Sequence, residues 1–149
     1  MAVGVLAAHG KVVGDLSRAL FVGELTLAGG LRTVSDALVG PIAVAALHDL
    51  HVDVLFMGVH GMDTSAGFTT PNLMEADTNR AMVAAAGRLV VVADHTKWGT
   101  VGLSRIARLQ DASVLVTDSG ISTLAHEALA DRIGEVLIAP LGAELQGTS

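Results

Sequence analysis

The stretch that decides the fold is LVVVADHTKWGTVGLSRIARLQDASVLVTDS, residues 89–119. An apolar run at 89–93 ends abruptly in the polar tetrapeptide DHTK at 94–97, and a second β-type run at 113–117 ends in Asp118 and Ser119. Polar side chains directly after buried strands are typical of a ligand site at the carboxyl edge of a parallel sheet. Lys97 is one of only two lysines in the chain, so we expect it to face a ligand.

Strand-like and helical segments alternate along the chain, which predicts an α/β fold with a mainly parallel sheet flanked by helices. Thr70 and Pro71 predict the N-cap and first residue of the longest helix, and Gly87 predicts its C-terminal cap. Residues 58–70 are expected to be rich in turns, and residues 12–13 and 16–22 to form a strand–helix piece. The predicted strands are 25–28, 52–57, 89–93, 113–117 and 135–139, and the predicted helices are 41–47, 70–86, 100–107 and 122–131.

The composition predicts one domain over residues 1–149, with a disordered tail at 142–149. Hydrophobic residues make up 51% of the chain and aromatic residues only 3%, so Ala, Val and Leu must pack a tightly layered core. Only 16% of the residues are charged, against a usual value of about 25%. This apolar excess indicates that another subunit covers part of the surface.

Charge and the missing residue types exclude several classes of protein. The net charge of −6 and the dispersed basic residues argue against direct nucleic-acid contact by this chain. There is no cysteine, which excludes thiolate metal sites and is consistent with a reducing cytoplasm. No signal peptide and no apolar run of about 20 residues is present, so no membrane contact is expected.

Candidate ligand residues lie in loops that follow the predicted strands. Lys97 can place a positive charge on a phosphate or bind a sugar oxygen, or it can merely pair with Asp94. Arg32, which follows Gly29 and Gly30, is equally consistent with anion recognition and with a surface position.

The remaining candidates are equally open. His60 is either a sugar contact or a turn residue. Thr69 is as consistent with a ligand contact as with a structural role, whereas Thr70 alone is expected only to cap the helix. The negative charge of Glu75 is expected only to stabilise the N-terminal end of the helix.

The sequence predicts no metal site and no cofactor. His48, Asp49 and His51 lie close together along the chain, but they span a helix end and a strand start and would not share a face. The serine-hydrolase and phosphate-loop signatures GxSxG and GxxxxGK[ST] are absent, as is the dinucleotide signature GxGxxG.

From residue 25 to 139 the chain resembles the C-terminal effector-binding domain of DeoR-type bacterial transcriptional regulators. The matching segments are LTLAGGLR (25–32), LVGP (38–41), DVLFMGVHGMD (53–63), GFTTPNLMEADTNRAM (67–82), VVVADHTKWG (90–99) and ASVLVTDSG (112–120).

The resemblance implies a sugar-phosphate isomerase or CoA-transferase-like fold, and an effector that is a phosphorylated sugar or another small anionic metabolite. It also implies a partner helix-turn-helix that binds DNA. Together with the apolar excess, the resemblance predicts a homo-oligomer, a dimer or tetramer. The ligand contacts that it implies are Gly29, Gly30, Arg32, His60, Gly61, Asp63, Thr69, Thr70, Glu75, Asp94 and Lys97.

The chain departs from the family pattern in two places. Neither the helix-turn-helix nor the family's first sensor strand is found, so the domain is expected to be incomplete at its N-terminus. Residues 13–16, VGDL, stand where relatives have a Thr-Asn-Ser-like turn. His60 stands where family members often carry Asp or Asn, which leaves the ligand preference open.

An aldose–ketose phosphate isomerase is the alternative function. Residues 94–97 resemble that enzyme's Asp-Glu-Ser-Lys, but its two loop aspartates are replaced within residues 57–61. Its base glutamate would fall near Thr78 and Asn79, so Glu75 or Asp77 would have to move the proton from displaced positions. The sequence therefore favours a non-enzymatic binder. A third possibility is a remnant that only self-associates.

Overall fold

A computed structural model describes residues 18–22 and 40–140 of the chain. The strands are β1 (Ala19–Val22), β2 (Val52–Gly58), β3 (Gly61–Asp63), β4 (Gly67–Thr70), β5 (Ala86–Val92), β6 (Ser104–Ala107), β7 (Val114–Asp118) and β8 (Glu135–Ala139). The α-helices are α1 (Pro41–Leu47), α2 (Leu73–Ala85) and α3 (Thr123–Ala130). Two 3-10 turns lie at His95–Lys97 and Leu109–Asp111.

Among the described residues, the centre of the fold is a five-stranded sheet in the order β1-β2-β5-β7-β8, and every neighbouring pair in it is parallel. The predicted α/β class with a mainly parallel sheet is confirmed. The predicted helix 41–47 and the predicted strands at β2, β5, β7 and β8 are confirmed to within a few residues. Ser122 caps α3 as expected, since its hydroxyl accepts a hydrogen bond from the Ala125 amide at 3.2 Å.

Alternation along the strands divides the buried side chains into two clusters. Leu55, Leu89 and Leu115 belong to the larger one, to which the helices contribute Leu47, Met82 and Leu129. The side chains that alternate with these along the strands point to the opposite face of the sheet. They form the second cluster, Phe56, Val90, Val114, Val116 and Leu137. Because successive side chains on a strand point to opposite faces, the three described helices pack on one face of this sheet.

A second sheet, antiparallel and ordered β3-β4-β6, was not expected. The predicted helix at 100–107 is wrong, because residues 104–107 form β6 and pair with β4. The segment 58–70, expected to be turns, supplies β3 and β4. Gly99, at φ +78°, and Gly102 weaken any helix here, and strand pairing overrides the weak helical pattern.

The start of α2 also differs from the prediction. Thr70 ends β4, and the cap is Asn72, whose side chain accepts hydrogen bonds from the amides of Met74 and Glu75. The physical reason is that the Asn72 side chain satisfies two free amides of the first turn, whereas the Thr70 hydroxyl donates to the Glu75 carboxylate. Gly87 is likewise not a cap, because the chain passes directly from Ala85 into β5.

At the N-terminal end, residues 19–22 form β1 and pair with β2, so the predicted helix within 16–22 is wrong there. The predictions for residues 12–13, 25–28 and 142–149 lie outside the described residues. Within residues 18–22 and 40–140, no helix is long and apolar enough to cross a bilayer.

The packing around the second sheet predicts how much stability is lost when either of two glycines is replaced by alanine. A Cβ at Gly61 would overlap the backbone carbonyl oxygen of Thr100, whereas one at Gly99 would meet nothing within 4 Å. We expect Gly61→Ala to lower the free energy of unfolding by about 3 kcal/mol or more, since backbone cannot yield as a side chain does. Gly99→Ala should lower the free energy of unfolding by only about 1–2 kcal/mol, because alanine is strained at the positive φ of this residue. Urea denaturation of both variants measures these free energies of unfolding. Equal losses of stability in the two variants would contradict the close approach of Gly61 to the Thr100 backbone.

Candidate functional site

Three candidate loops meet at the carboxyl edge of the parallel sheet. β2, β5 and β7 are neighbours, so the residues that follow them, at 59–61, 93–97 and 119–120, leave the sheet at the same edge. The amide of Ala93 donates to the carbonyl of Val116 at 3.0 Å, which carries the pairing to the end of the strands. This edge is where parallel α/β sheets bind their ligands.

Lys97 lies in a 3-10 turn that Asp94 caps. The Asp94 carboxylate accepts hydrogen bonds from the Thr96 amide, at 2.8 Å, and from the Thr96 hydroxyl, and the Lys97 amide donates to the Asp94 carbonyl at 3.1 Å. The Thr96 hydroxyl is the main reason why the pKa of Asp94 lies below its ordinary value, and Lys97 adds to that effect. Asp94 therefore shapes the turn, and Lys97 is half-buried on it without a direct ion pair to any described acid.

A buried carboxylate connects this turn to the end of β7. Asp118, 8% exposed, accepts hydrogen bonds from the His95 amide at 2.9 Å and the Gly120 amide at 2.8 Å, and its Oδ1 lies 2.7 Å from His95 Nδ1. Burial raises the pKa of Asp118, but these hydrogen bonds outweigh it and leave the pKa below its usual range. The carboxylate is therefore ionised at neutral pH and holds two loops together.

The second sheet packs against the same turn from the β2 side. The Gly99 amide donates to the Met62 carbonyl at 2.9 Å, and the Gly102 amide donates to the Thr69 hydroxyl at 2.8 Å. Gly61 and Gly102 lie so close to neighbouring backbone that neither has room for a Cβ. The backbone thus joins residues 61, 69 and 97–102 in one unit.

Four of the predicted ligand residues use their polar groups inside the protein. The Thr69 hydroxyl lies between Gly61 and Gly102, and the Thr70 hydroxyl donates to Glu75 at 3.1 Å. Asp63 accepts hydrogen bonds from the Ala66 amide and from both the hydroxyl and the amide of Ser65, which together hold its pKa below the ordinary value. These contacts shape the β3–β4 hairpin and the start of α2.

The other predicted residues divide into three groups. The His60 side chain is exposed at the β2–β3 turn, where the His60 amide donates to the Thr69 carbonyl at 3.2 Å. Gly61, Asp94 and Lys97 lie at the shared edge described above. Gly29, Gly30 and Arg32 lie outside the described residues.

His95 and Asp118 were missed by sequence reasoning as members of the candidate set. The only sequence signal was their position, each directly after a buried strand. Thr117 also stands out, because its buried hydroxyl has no hydrogen-bond partner in the described part of the chain.

Asp94, His95 and Asp118 offer ligand atoms that all lie within 4.8 Å of one another, a spacing that a metal ion could use. Both oxygens of Asp118 and Oδ1 of Asp94 already accept hydrogen bonds from neighbouring backbone or side chains. We therefore interpret the group as the connection between two loops.

The state of Asp118 predicts how stability responds to acid. Its pKa is lowered in the folded chain, so its stabilising contribution is complete above the unfolded pKa of about 3.9 and is lost as pH falls through the folded value. Asp118→Asn should cost about 1.5–3 kcal/mol at neutral pH and flatten the fall in stability below about pH 5. Thermal unfolding across this range measures both; Asp63→Asn is the control for a half-buried carboxylate with lowered pKa. An unchanged acid profile in Asp118→Asn would contradict the assignment.

Comparison with known proteins agrees with this architecture. The family model described as the DeoR C-terminal sensor domain matches residues 3–119. YulB of Bacillus subtilis (strain 168), named an uncharacterized HTH-type transcriptional regulator, is 32% identical over 131 residues, which cover 88% of this chain and 51% of YulB.

Two further relatives are similar over shorter stretches. The HTH-type transcriptional regulator GlpR of Haloferax volcanii is 36% identical over 107 residues, 71% of this chain and 42% of GlpR. A putative aga operon transcriptional repressor of Escherichia coli O157:H7 is 35% identical over 116 residues, 77% of this chain and 43% of the relative. The chain thus spans about half the length of the curated relatives it matches. It belongs to the DeoR C-terminal sensor domain family and is a ligand-sensing domain of the kind found in these transcriptional regulators.

Proposed function

We propose that this domain binds a phosphorylated sugar, or a related small anionic metabolite, and thereby controls DNA binding by a helix-turn-helix outside these 149 residues. The observation that carries the proposal is the placement of Lys97. It is a half-buried cation on a turn held from two sides, at the sheet edge where three loops converge. A cation held in place in this way suits an anionic group of a ligand.

We assign the predicted ligand residues to two roles in this proposal. Lys97 and the exposed His60 contact the effector, and Gly29, Gly30 and Arg32, which lie outside the described residues, stay predicted ligand contacts. Gly61 allows the close backbone approach that brings the hairpin to the turn. The polar groups of Asp63, Thr69, Thr70, Glu75 and Asp94 hold the loops in shape through the internal hydrogen bonds described above.

The names of the relatives, which describe HTH-type regulators and a putative operon repressor, support the proposed regulatory role. The isomerase alternative is less well supported. Glu75 and Asp77, the two acids that would have to transfer the proton, are already engaged: Glu75 accepts from Thr70, and Asp77 pairs with Arg80 at 2.5 Å. We therefore propose a sensor that does not turn its ligand over.

Calorimetric titration with ribose 5-phosphate, glucose 6-phosphate and inorganic phosphate tests the proposal. We expect heat from at least one sugar phosphate, and we expect Lys97→Met to weaken its binding about 10- to 100-fold, since a hydrogen bond to a charged group contributes about 1.5–3 kcal/mol. Arg88→Met, which removes an exposed cation at the other end of β5, is the matched control and should bind as the wild type does.

Turnover of either sugar phosphate in the same sample would overturn the sensor proposal in favour of the isomerase. An absence of binding to every ligand would favour the self-associating remnant. An equal loss of affinity in Lys97→Met and Arg88→Met would show a general effect of charge and not a contact made by Lys97.

We also propose that the domain self-associates as a dimer or tetramer. The chain is 51% hydrophobic with only 16% charged residues, and the candidate contact residues Ile42, Leu103 and Leu124 are 88%, 73% and 79% exposed in the described part of the chain. Sedimentation velocity should show an oligomer at micromolar concentration, and Leu103→Lys or Leu124→Lys should shift it toward monomer if that side chain lies in the contact. A wild-type chain that sediments only as a monomer would contradict the proposal.

A further inference from the structure

The ring of His95 is held in one orientation by its surroundings. Its Nδ1 lies 2.7 Å from Oδ1 of the ionised Asp118, so Nδ1 carries the proton and donates it. Gly120 packs against the same ring, because a Cβ there would overlap Nδ1 and would come within 2.7 Å of Cε1. Asp118 and Gly120 therefore fix both the tautomer and the position of the imidazole.

Because Nδ1 is hydrogen-bonded to Asp118, Nε2 is the polar atom of the His95 side chain that remains for another partner. That side chain is 39% exposed, and Nε2 has no hydrogen-bond partner within residues 18–22 and 40–140. In the neutral imidazole with its proton on Nδ1, Nε2 carries a lone pair and accepts hydrogen bonds. His95 thus offers an oriented acceptor in the same 3-10 turn as Lys97, which is two residues further along.

The charges around the ring determine what Nε2 suits. Asp94 and Asp118 place two carboxylates beside His95, and Lys97 supplies the single cation of the turn. A phosphate dianion would be repelled by the carboxylates and would favour Lys97 instead. A neutral hydroxyl has no such penalty, and its proton is the complement of a lone pair.

We infer that His95 is a specificity-determining contact: its Nε2 accepts a hydrogen bond from a hydroxyl of the effector while Lys97 binds the anionic group. This inference rests on the proposed function and deepens it, because it requires a ligand that carries an anionic group and a hydroxyl together. Asp118 acts as the positioning residue that holds the acceptor toward the ligand. Together, His95 and Lys97 explain how the site prefers a sugar phosphate over inorganic phosphate.

Two substitutions separate contact from positioning. His95→Asn keeps an amide nitrogen near the place of Nδ1, where it can still donate to Asp118, but removes Nε2. His95→Gln reaches toward the place of Nε2 but gives up the short connection to Asp118. His126→Asn, on the half-buried side of α3, is the matched control for loss of an imidazole.

Calorimetry on the 149-residue chain, with the tighter binder of ribose 5-phosphate and glucose 6-phosphate and with inorganic phosphate, provides the test. We expect His95→Asn to weaken sugar-phosphate binding about tenfold, as loss of one hydrogen bond does. Its affinity for inorganic phosphate and its melting temperature should stay at the wild-type values. His126→Asn should change neither affinity.

Four outcomes would overturn the inference. Wild-type sugar-phosphate affinity in His95→Asn would show that Nε2 contacts nothing. Equal loss for sugar phosphate and inorganic phosphate would show that the ring only shapes the turn, and loss in His95→Gln alone would show the same. Failure of the wild-type chain to bind any sugar phosphate would remove the proposed function as well, which distinguishes that failure from the others.

Discussion

The buried carboxylate of Asp118 is the interaction on which the sheet edge depends. A charge that is 8% exposed is tolerated only because backbone amides from two loops and an imidazole all bind to it. Removing any of these donors would leave part of a buried charge unsatisfied, which is far more costly than losing an exposed ion pair. The turn that carries Lys97 therefore cannot leave the end of β7 without a large penalty.

The second sheet supports the same turn from the opposite side. Gly61 and Gly102 allow backbone to approach backbone, and the Thr69 hydroxyl fills the space between them with hydrogen bonds to both. Arg105 adds two hydrogen bonds to the carbonyls of Ser65 and Ala66, so the far end of the hairpin is also fixed. The candidate site is thus held by rigid elements on both sides, which is what a binding site that discriminates between similar ligands requires.

Sequence reasoning predicted the central sheet because its signals are local. The apolar runs at β2, β5 and β7 are continuous, and each ends in polar residues. It failed at residues 100–107, where glycines weaken the helical pattern and the decisive interaction is pairing with β4, more than 30 residues away in sequence. Lys97 was identified from its rarity and its place after a strand. His95 and Asp118 were not, because their partnership exists only once β5 and β7 lie side by side.

The strand order links folding to ligand binding. β5 lies between β2 and β7, so the edge that carries the candidate site is assembled from segments that are distant along the chain. Non-local pairing of this kind forms slowly. The candidate site therefore exists only in the folded domain, and a ligand that binds there would stabilise the folded state by an amount that grows with ligand concentration.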